Sequence, residues 1–386
     1  MTFDLILVGF GNVARRFVTL LDEQRATLAR EYDVTTRIVG IVTRRHGQRF
    51  STRGMNVAQA STAVAQASTA VAQAFRPAIA DAGLKPRATD VDSVSFVRGA
   101  VKRSAAAARD GRLVVVETTT LDIERGQPAI DHVRTALTGG AHVITANKGP
   151  AAFAYRDLAR VAERAQRRFL FEGAVMDGIP IFNLVRETLP AVNIIGFRGV
   201  VNSTTNFILT AMEQGQPFDQ ALAEMQGVGI AEADPSLDID GWDAAAKTAA
   251  LANVLLGARL TPRTVERQGI TRDMGRRAVE ARTAGRRLKL VARAGYEGSR
   301  VAARVAPEEV PDDDLLATLE AQQNAIIFHT DLLGEIAIVQ RGGNLTQTAY
   351  ALLSDLVAIA NRRASARRRA RATRRWRSPA PARRNP

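Results

Sequence analysis

The start of the chain constrains its fold more than any other stretch. Residues 3–8, Phe-Asp-Leu-Ile-Leu-Val, form a short apolar run of the kind buried on both faces of a parallel sheet. Gly9-Phe10-Gly11-Asn12-Val13-Ala14 follows at once, and a helical apolar pattern continues through Leu20 and Leu21. In such a strand, G-x-G-x-x-A turn and helix, the first glycine makes a tight turn and the second lets the backbone approach a pyrophosphate. The small third residue lets the helix lie against the strand, and the helix N-terminus faces the phosphates. A glycine pair in a turn is weak evidence alone; after this strand it predicts a dinucleotide site at Gly9, Phe10, Gly11, Asn12 and Val13.

Further strands are expected at residues 37–43, 113–117 and 142–145, with a helix over 128–137 stopped by Gly139 and Gly140. Strand, helix, strand in succession gives an α/β fold with a doubly wound parallel sheet, whose ligands lie beyond the carboxyl ends of the strands. Thr118, Thr119, Asn147 and Lys148 fall there, beside the place of a nicotinamide. After the second strand, Arg44 and Arg45 stand where an acid would hold a ribose diol. Arginine suits a 2′-phosphate and favours NADP over NAD, the alternative being two solvated loop arginines.

The middle of the chain gathers Asn202-Ser203-Thr204-Thr205-Asn206, then Ala231-Glu232-Ala233-Asp234-Pro235-Ser236-Leu237-Asp238, then Gly241-Trp242-Asp243-Ala244-Ala245-Ala246-Lys247. Asp243 and Lys247, at i and i+4, project from one helix face toward a shared ligand. An ordinary helix-bracing ion pair is the simpler reading of that pair by itself.

Together with Val8-Gly9-Phe10-Gly11-Asn12-Val13 and Thr145-Ala146-Asn147-Lys148-Gly149-Pro150, these blocks make the chain resemble homoserine dehydrogenase from about residue 3 to residue 360. The resemblance implies a Rossmann-type doubly wound parallel sheet domain plus an α+β substrate and dimerisation domain. The first would span residues 1–150, with 341–360 packing back onto it, and the second 151–340. It implies interconversion of L-aspartate 4-semialdehyde and L-homoserine with NADP or NAD, a step toward threonine and methionine, by a homodimer of the short form without regulatory domains. Carried over residue by residue, Lys148 and Lys247 become paired catalytic lysines, Lys148 also meeting the cofactor, and Asp243 assists proton transfer. Glu232 and Asp238 become the substrate-binding acids, helped by Ser203 and Thr204. The family often has glycine where Ser203 stands, which puts close backbone approach there in doubt. Phe171-Glu172-Gly173-Ala174-Val175-Met176-Asp177-Gly178-Ile179-Pro180 resembles the family's monovalent-cation loop. One carboxylate and three carbonyls would hold Na+ or K+ through Glu172, Val175, Asp177 and Ile179, the alternative being a plain turn. Gly342, in the shortened turn Gly342-Gly343-Asn344, is the expected late cofactor contact. A helix through Leu352, Leu353, Leu356 and Ile359 follows it.

Composition bounds this reading. The chain has 386 residues, 46% of them hydrophobic, which is enough for two cored domains. It has no long apolar run and no secretory pattern, so a cytoplasmic enzyme is expected, with no membrane partner. No cysteine is present and the four histidines lack zinc-ligand spacing, which argues against thiolate or transition-metal chemistry. The net charge of +14 resides mostly in residues 361–386, which hold eleven arginines and no acid and leave only +3 elsewhere. Such a tail should be disordered, either a dispensable extension or a nonspecific, salt-sensitive binder of RNA or acidic surfaces. Residues 57–74 repeat Val-Ala-Gln-Ala-Ser-Thr-Ala with a period of seven, read as an inserted alanine-rich helical or mobile segment. Two rival readings stand beside this one: another NAD(P)-dependent amino-acid or aldehyde dehydrogenase of the same plan, and a non-catalytic binding protein acting through its arginine tail.

Overall fold

The computed structural model describes residues 1–44, 47–55, 59–60, 92–227 and 234–377, with side chains as far as residue 361. The chain opens with β1 (Thr2–Val8), α1 (Asn12–Glu23), α2 (Arg25–Tyr32), β2 (Thr35–Thr43) and β3 (Gly47–Met55). It continues with α3 (Ser93–Arg103), α4 (Ala105–Arg109), β4 (Leu113–Glu117), α5 (Ala129–Thr138), β5 (His142–Thr145), α6 (Gly149–Arg164) and β6 (Phe169–Leu170). These strands form one sheet in the order β3-β2-β1-β4-β5-β6. Strands β1, β2, β4, β5 and β6 are parallel, and Leu-Val-Val-Val-Glu of β4 is buried throughout, as a central strand covered on both faces must be. β3 instead pairs antiparallel with β2. Its exposed or half-buried residues, with only Met55 buried, and its arginines suit a polar edge strand, a feature that the apolar-run reading passed over.

Because β6 extends this sheet, the first domain runs to about residue 170 and the expected boundary at 150 is corrected. Lys148-Gly149-Pro150 opens a crossover helix that leads back into the same sheet, so the chain cannot change domain there.

The second unit comprises α7 (Phe182–Thr188), β7 (Ile194–Val200), α8 (Ser203–Met212), α9 (Phe218–Gly227), α10 (Ser236–Ile239) and α11 (Trp242–Leu255). It goes on through β8 (Glu266–Arg267), α12 (Met274–Thr283), β9 (Arg286–Glu297), β10 (Arg300–Pro311), β11 (Asn324–Thr330) and β12 (Gly334–Gln340). Its sheet has the order β12-β11-β7-β9-β10-β8 and is antiparallel except for the short β8 beside β10.

α11 lies against both β9 and α6. Ala244, Ala245, Ala246, Ala249, Ala250 and Ala252 are buried along it, opposite the equally small Gly149, Pro150, Ala151 and Ala152 at the start of α6. Alanine gives strong helix propensity while letting two backbones approach closely. That approach joins the end of β5 to the start of α11.

The last helix, α13 (Leu345–Arg377), returns to the first domain. Its Ala349, Leu352, Leu356 and Ile359 are buried in one cluster with Phe17, Leu20 and Leu21 of α1. The helical backbone continues past 360 to Arg377, which corrects the disordered tail expected from residue 361. Alanine and arginine are strong helix formers and extend a helix already nucleated by packing. Residues 378–386 of that tail, and all but Gln59 and Ala60 of the repeat at 57–74, lie outside the described residues.

Candidate active site

At the carboxyl end of β1, Gly9 has φ +86°, and a Cβ added there would stand 2.8 Å from the carbonyl oxygen of Thr118. Only glycine fits that turn between β1 and β4. Gly11 precedes α1 without any side-chain cap, and a Cβ there would meet nothing within 4 Å. Asn12 is exposed and Val13 half-buried, whereas Phe10 is turned into the core. A close backbone cradle at an uncapped helix N-terminus fits a dinucleotide pyrophosphate. Arg44 is exposed at the end of β2, Arg45 lies outside the described residues, and Gly342 has open space around it.

The two threonines after β4 are used internally. Thr118 donates its hydroxyl to the carbonyls of Val8 and Gly9. Thr119 donates both its N–H and its hydroxyl to the fully buried Glu117, which also receives the hydroxyl of Thr145. Asn147 completes this network: its amide reaches the Thr119 carbonyl at 3.0 Å, and its oxygen accepts from Gly149 N at 2.8 Å. The network therefore fixes the loop from which Lys148 projects.

Lys148 and Lys247 converge on one carboxylate. Lys148 Nζ lies 2.8 Å from Asp243 Oδ1, and Lys247 Nζ lies 2.8 Å from Asp243 Oδ2. Lys247 donates again to the Val201 carbonyl at 2.7 Å. The simple helix pair thus becomes a bridge between two domains. Burial would raise the Asp243 carboxyl, but the ammonium groups of Lys148 and Lys247 outweigh it and hold the group far below the ordinary carboxylate range. For Lys247 burial would favour the neutral amine, yet the charge and hydrogen bond of Asp243 raise its pKa above the ordinary lysine value. Lys247 is accordingly held as a donor.

Asn202 had been read only as part of a motif. Its side-chain oxygen caps α8 by accepting from Thr205 N, and its amide donates to Asp238 at 2.7 Å and to Asp243 at 3.0 Å. Asparagine just before an apolar helical run is a cap signal that could have marked it. Asp238 is pushed up by burial and then by the neighbouring Asp243 charge, with Asn202 and Thr204 opposing through hydrogen bonds. Asp238, Asp243, Lys148, Lys247, Asn202 and Thr204 thus meet where the two domains touch, while the hydroxyl of Ser203, next in sequence, accepts from Asn324 Nδ2 at 2.7 Å. Glu232 lies outside the described residues.

Asn253 was also not foreseen. From the far end of α11 it donates to the carbonyls of Ala151, Ala152 and Leu260 and accepts from Leu260 N. It clamps α6 just ahead of Ala154, whose backbone departs from helical geometry.

The expected cation loop is organised otherwise. The Glu172 carboxylate accepts the backbone N–H groups of Ile181, Phe182 and Asn183 and so caps the start of α7. A carboxylate with this many backbone donors braces the helix start. Asp177 accepts from Gln340 Nε2 at 3.0 Å and from Thr348 Oγ1 at 2.9 Å, while Val175 is buried and Ile179 packs against the core. Among the described residues no group of three or more His, Cys, Asp or Glu side chains could hold a metal ion, and no helix is long and apolar enough to cross a membrane.

Comparison with known proteins agrees with this geometry. The family model for the homoserine dehydrogenase NAD binding domain matches residues 9–172, and that for homoserine dehydrogenase itself matches residues 180–357. The chain is 35% identical over 360 residues to an NAD(+)-dependent homoserine dehydrogenase of Pseudomonas canavaninivorans, covering 92% of this chain and 96% of that one. It is 32% identical to a homoserine dehydrogenase of Sulfurisphaera tokodaii, over 92% and 98% of the two chains. The solved homoserine dehydrogenase of Thiobacillus denitrificans superposes with a TM-score of 0.73 at 28% identity, over 95% of this chain and 74% of that chain. These similarities favour neither rival reading. With matches in both domains and nearly complete coverage, the chain belongs to the homoserine dehydrogenase family.

Proposed function

We propose that the chain interconverts L-homoserine and L-aspartate 4-semialdehyde with a nicotinamide dinucleotide, using Lys148, Lys247 and Asp243 as its catalytic group. The observation that carries this reading is the single half-buried carboxylate shared by two lysines from different domains. When bound, the dinucleotide supplies or accepts the hydride. The protein must manage the charge and proton on the substrate oxygen. Reduction of the aldehyde builds negative charge on that oxygen, and a lysine ammonium can stabilise it and donate a proton directly or through a water; oxidation runs the same proton path backward. Asp243 stays ionised and holds both ammonium groups in place. Asp238, with Glu232, offers an anion for the substrate ammonium. A cation arriving beside Asp238 would offset the burial that raises it.

Arg44 and Arg45 support use of NADP, and similarity to a relative named as NAD(+)-dependent supports NAD. A cation at residues 172–179 would rest on the backbone carbonyls of Glu172, Val175, Asp177 and Ile179. Pairing of two copies through the second domain is supported by Ile195, Leu332, Leu333 and Val339, large apolar side chains left exposed on that sheet and its turn. The test of the activity is a spectrophotometric assay with homoserine, run with NAD and with NADP on folded protein. Homoserine-dependent cofactor reduction is expected, and absence of turnover with both cofactors from neutral to alkaline pH would overturn the proposal.

A further inference from the structure

Beside the lysine bridge, a chain of side-chain amides connects the loop after β6 to the first residue of α8. Gln340 is 1% exposed and Asn324 is 5% exposed, so both amides are cut off from solvent. Gln340 Nε2 donates to Asp177 Oδ2 at 3.0 Å and to Gln347 Oε1 at 3.1 Å. Its oxygen accepts from Asn324 Nδ2 at 3.2 Å, and the same Nδ2 donates to Ser203 Oγ at 2.7 Å.

The direction of every bond in this chain follows from one end. An ionised carboxylate only accepts hydrogen bonds, so Gln340 must turn its nitrogen toward Asp177 and its oxygen toward Asn324. Asn324 must then present its nitrogen to Gln340, because its oxygen there would face another oxygen. The same nitrogen faces Ser203, whose oxygen therefore accepts. Its hydroxyl hydrogen is left to point elsewhere as a donor. Asn324 pays for this orientation: its own oxygen is buried without a hydrogen-bond partner. An unsatisfied buried acceptor opposes folding, which marks a site shaped for something other than stability.

We infer that Asp177, Gln340 and Asn324 form a polarity relay that fixes the Ser203 hydroxyl as a donor to the carboxylate of the amino-acid substrate. This deepens the proposed function and rests on it. Ser203 follows Asn202, which holds both Asp238 and Asp243. A zwitterionic substrate whose ammonium lies at the acids needs a donor for its carboxylate, and a preset hydroxyl supplies one without reorganising. The relay also ties substrate to cofactor turn: Asp177 accepts from Thr348 on α13, and a Cβ at Gly343 would stand 2.5 Å from Asp177 Oδ2. Asn324 and Gln340 are positioning residues, acting only through Ser203.

The test compares wild type with Asn324→Asp, Ser203→Ala and the double variant, reading kcat, KM for homoserine and for cofactor, and the homoserine dissociation constant by calorimetry. Asn324→Asp keeps shape but offers Ser203 an acceptor, drawing its hydroxyl away from the substrate. Its homoserine KM and dissociation constant should rise about tenfold or more, as for a lost hydrogen bond to a charged group, with kcat and cofactor KM within about twofold. Ser203→Ala should give a similar rise, and the double variant no more than either alone. Unchanged homoserine affinity in Asn324→Asp, or a full additional loss in the Ser203→Ala background, overturns the relay. Gln340→Met provides a second route if Asn324→Asp does not fold: it should weaken homoserine in wild type but not with Ala at position 203, and equal effects in both overturn it. Because binding is read separately, a wild type that binds homoserine without turning it over would sink the proposed activity and still decide the relay.

Discussion

At the scale of single residues, the important question is what sets the proposed catalytic group apart from a common i, i+4 ion pair. Asp243 and Lys247 alone could brace any exposed helix, and such pairs contribute only a few tenths of a kcal/mol. Lys148 changes their meaning, because its ammonium takes the second oxygen of the same carboxylate from another domain. The charge of that carboxylate raises the Lys247 pKa above the ordinary lysine value, so its proposed task is to stabilise and protonate oxygen in the reduction and to take the same proton back in the oxidation. Lys247→Ala should therefore lower kcat by about a hundredfold or more while homoserine KM changes much less, the usual scale for a lost acid-base group. Steady-state kinetics on folded variant protein checks this, and a near-normal kcat would reduce the pair to structure. That Asp243 and Lys247 share a helix face was legible from spacing, whereas the roles proposed for them and for Lys148 came from the family resemblance. Asn202 and Asn324 were less legible, since an amide acquires a role only from the groups the fold brings to its two ends. The Glu172 carboxylate shows the same limit: sequence shows an acid in a loop, and only the fold shows the helix it caps.

At the scale of elements, the active site depends on two small-residue surfaces pressed together. The β1 turn, the strands at 113–117 and 142–145, and the helix between them could be read from apolar runs and glycine punctuation, because buried parallel strands are defined by local composition. The reversed edge strand β3 could not, since Gly-Gln-Arg-Phe-Ser-Thr-Arg-Gly-Met carries no apolar run and owes its place to pairing with β2. The contact of α6 with α11 was equally hidden: alanine patterns say that a neighbour comes close, not which one. Asn253 makes that contact specific by satisfying three carbonyls and one N–H at the start of α6 and the loop near Leu260. Asn253→Ala should destabilise the protein by about 2–4 kcal/mol, because several buried backbone groups lose their partner at once. It should also lower kcat, since the clamp lies one turn beyond Lys148. Denaturant melts with parallel kinetics test this; a stability loss below about 1 kcal/mol would mean that water replaces the amide.

At the scale of the whole molecule, the last helix closes the chain onto its first domain and brings a carboxyl group into the interior. Asp355 of α13 is fully buried and accepts from Glu172 N at 2.9 Å and from Asn183 Nδ2 at 3.1 Å, so it joins the first sheet's final loop, α7 and the C-terminal helix. In sequence it sits inside the apolar pattern of Leu352, Leu353, Leu356 and Ile359, where nothing local shows whether an acid faces water or core. Burial, and then the charge of Glu172, push Asp355 up to about 7, and burial raises Glu172 as well. A carboxyl whose folded pKa lies above its unfolded value near about 4 keeps a proton in the native state that the unfolded chain has released. Its contribution to stability is therefore full below about pH 4 and is lost as pH rises toward about 7. Asp355→Asn cannot titrate, so wild-type stability minus that of the variant should fall between about pH 4 and pH 7, by on the order of 1 kcal/mol per pH unit, and level off above. Urea melts across this range measure the difference directly; titrations remote from Asp355 cancel, and the coupled titration of Glu172 is part of the difference. A flat difference would mean that Asp355 is ionised in the folded state, and the two buried acids would then need a cation, for which Arg186 is the nearest named source of positive charge to both.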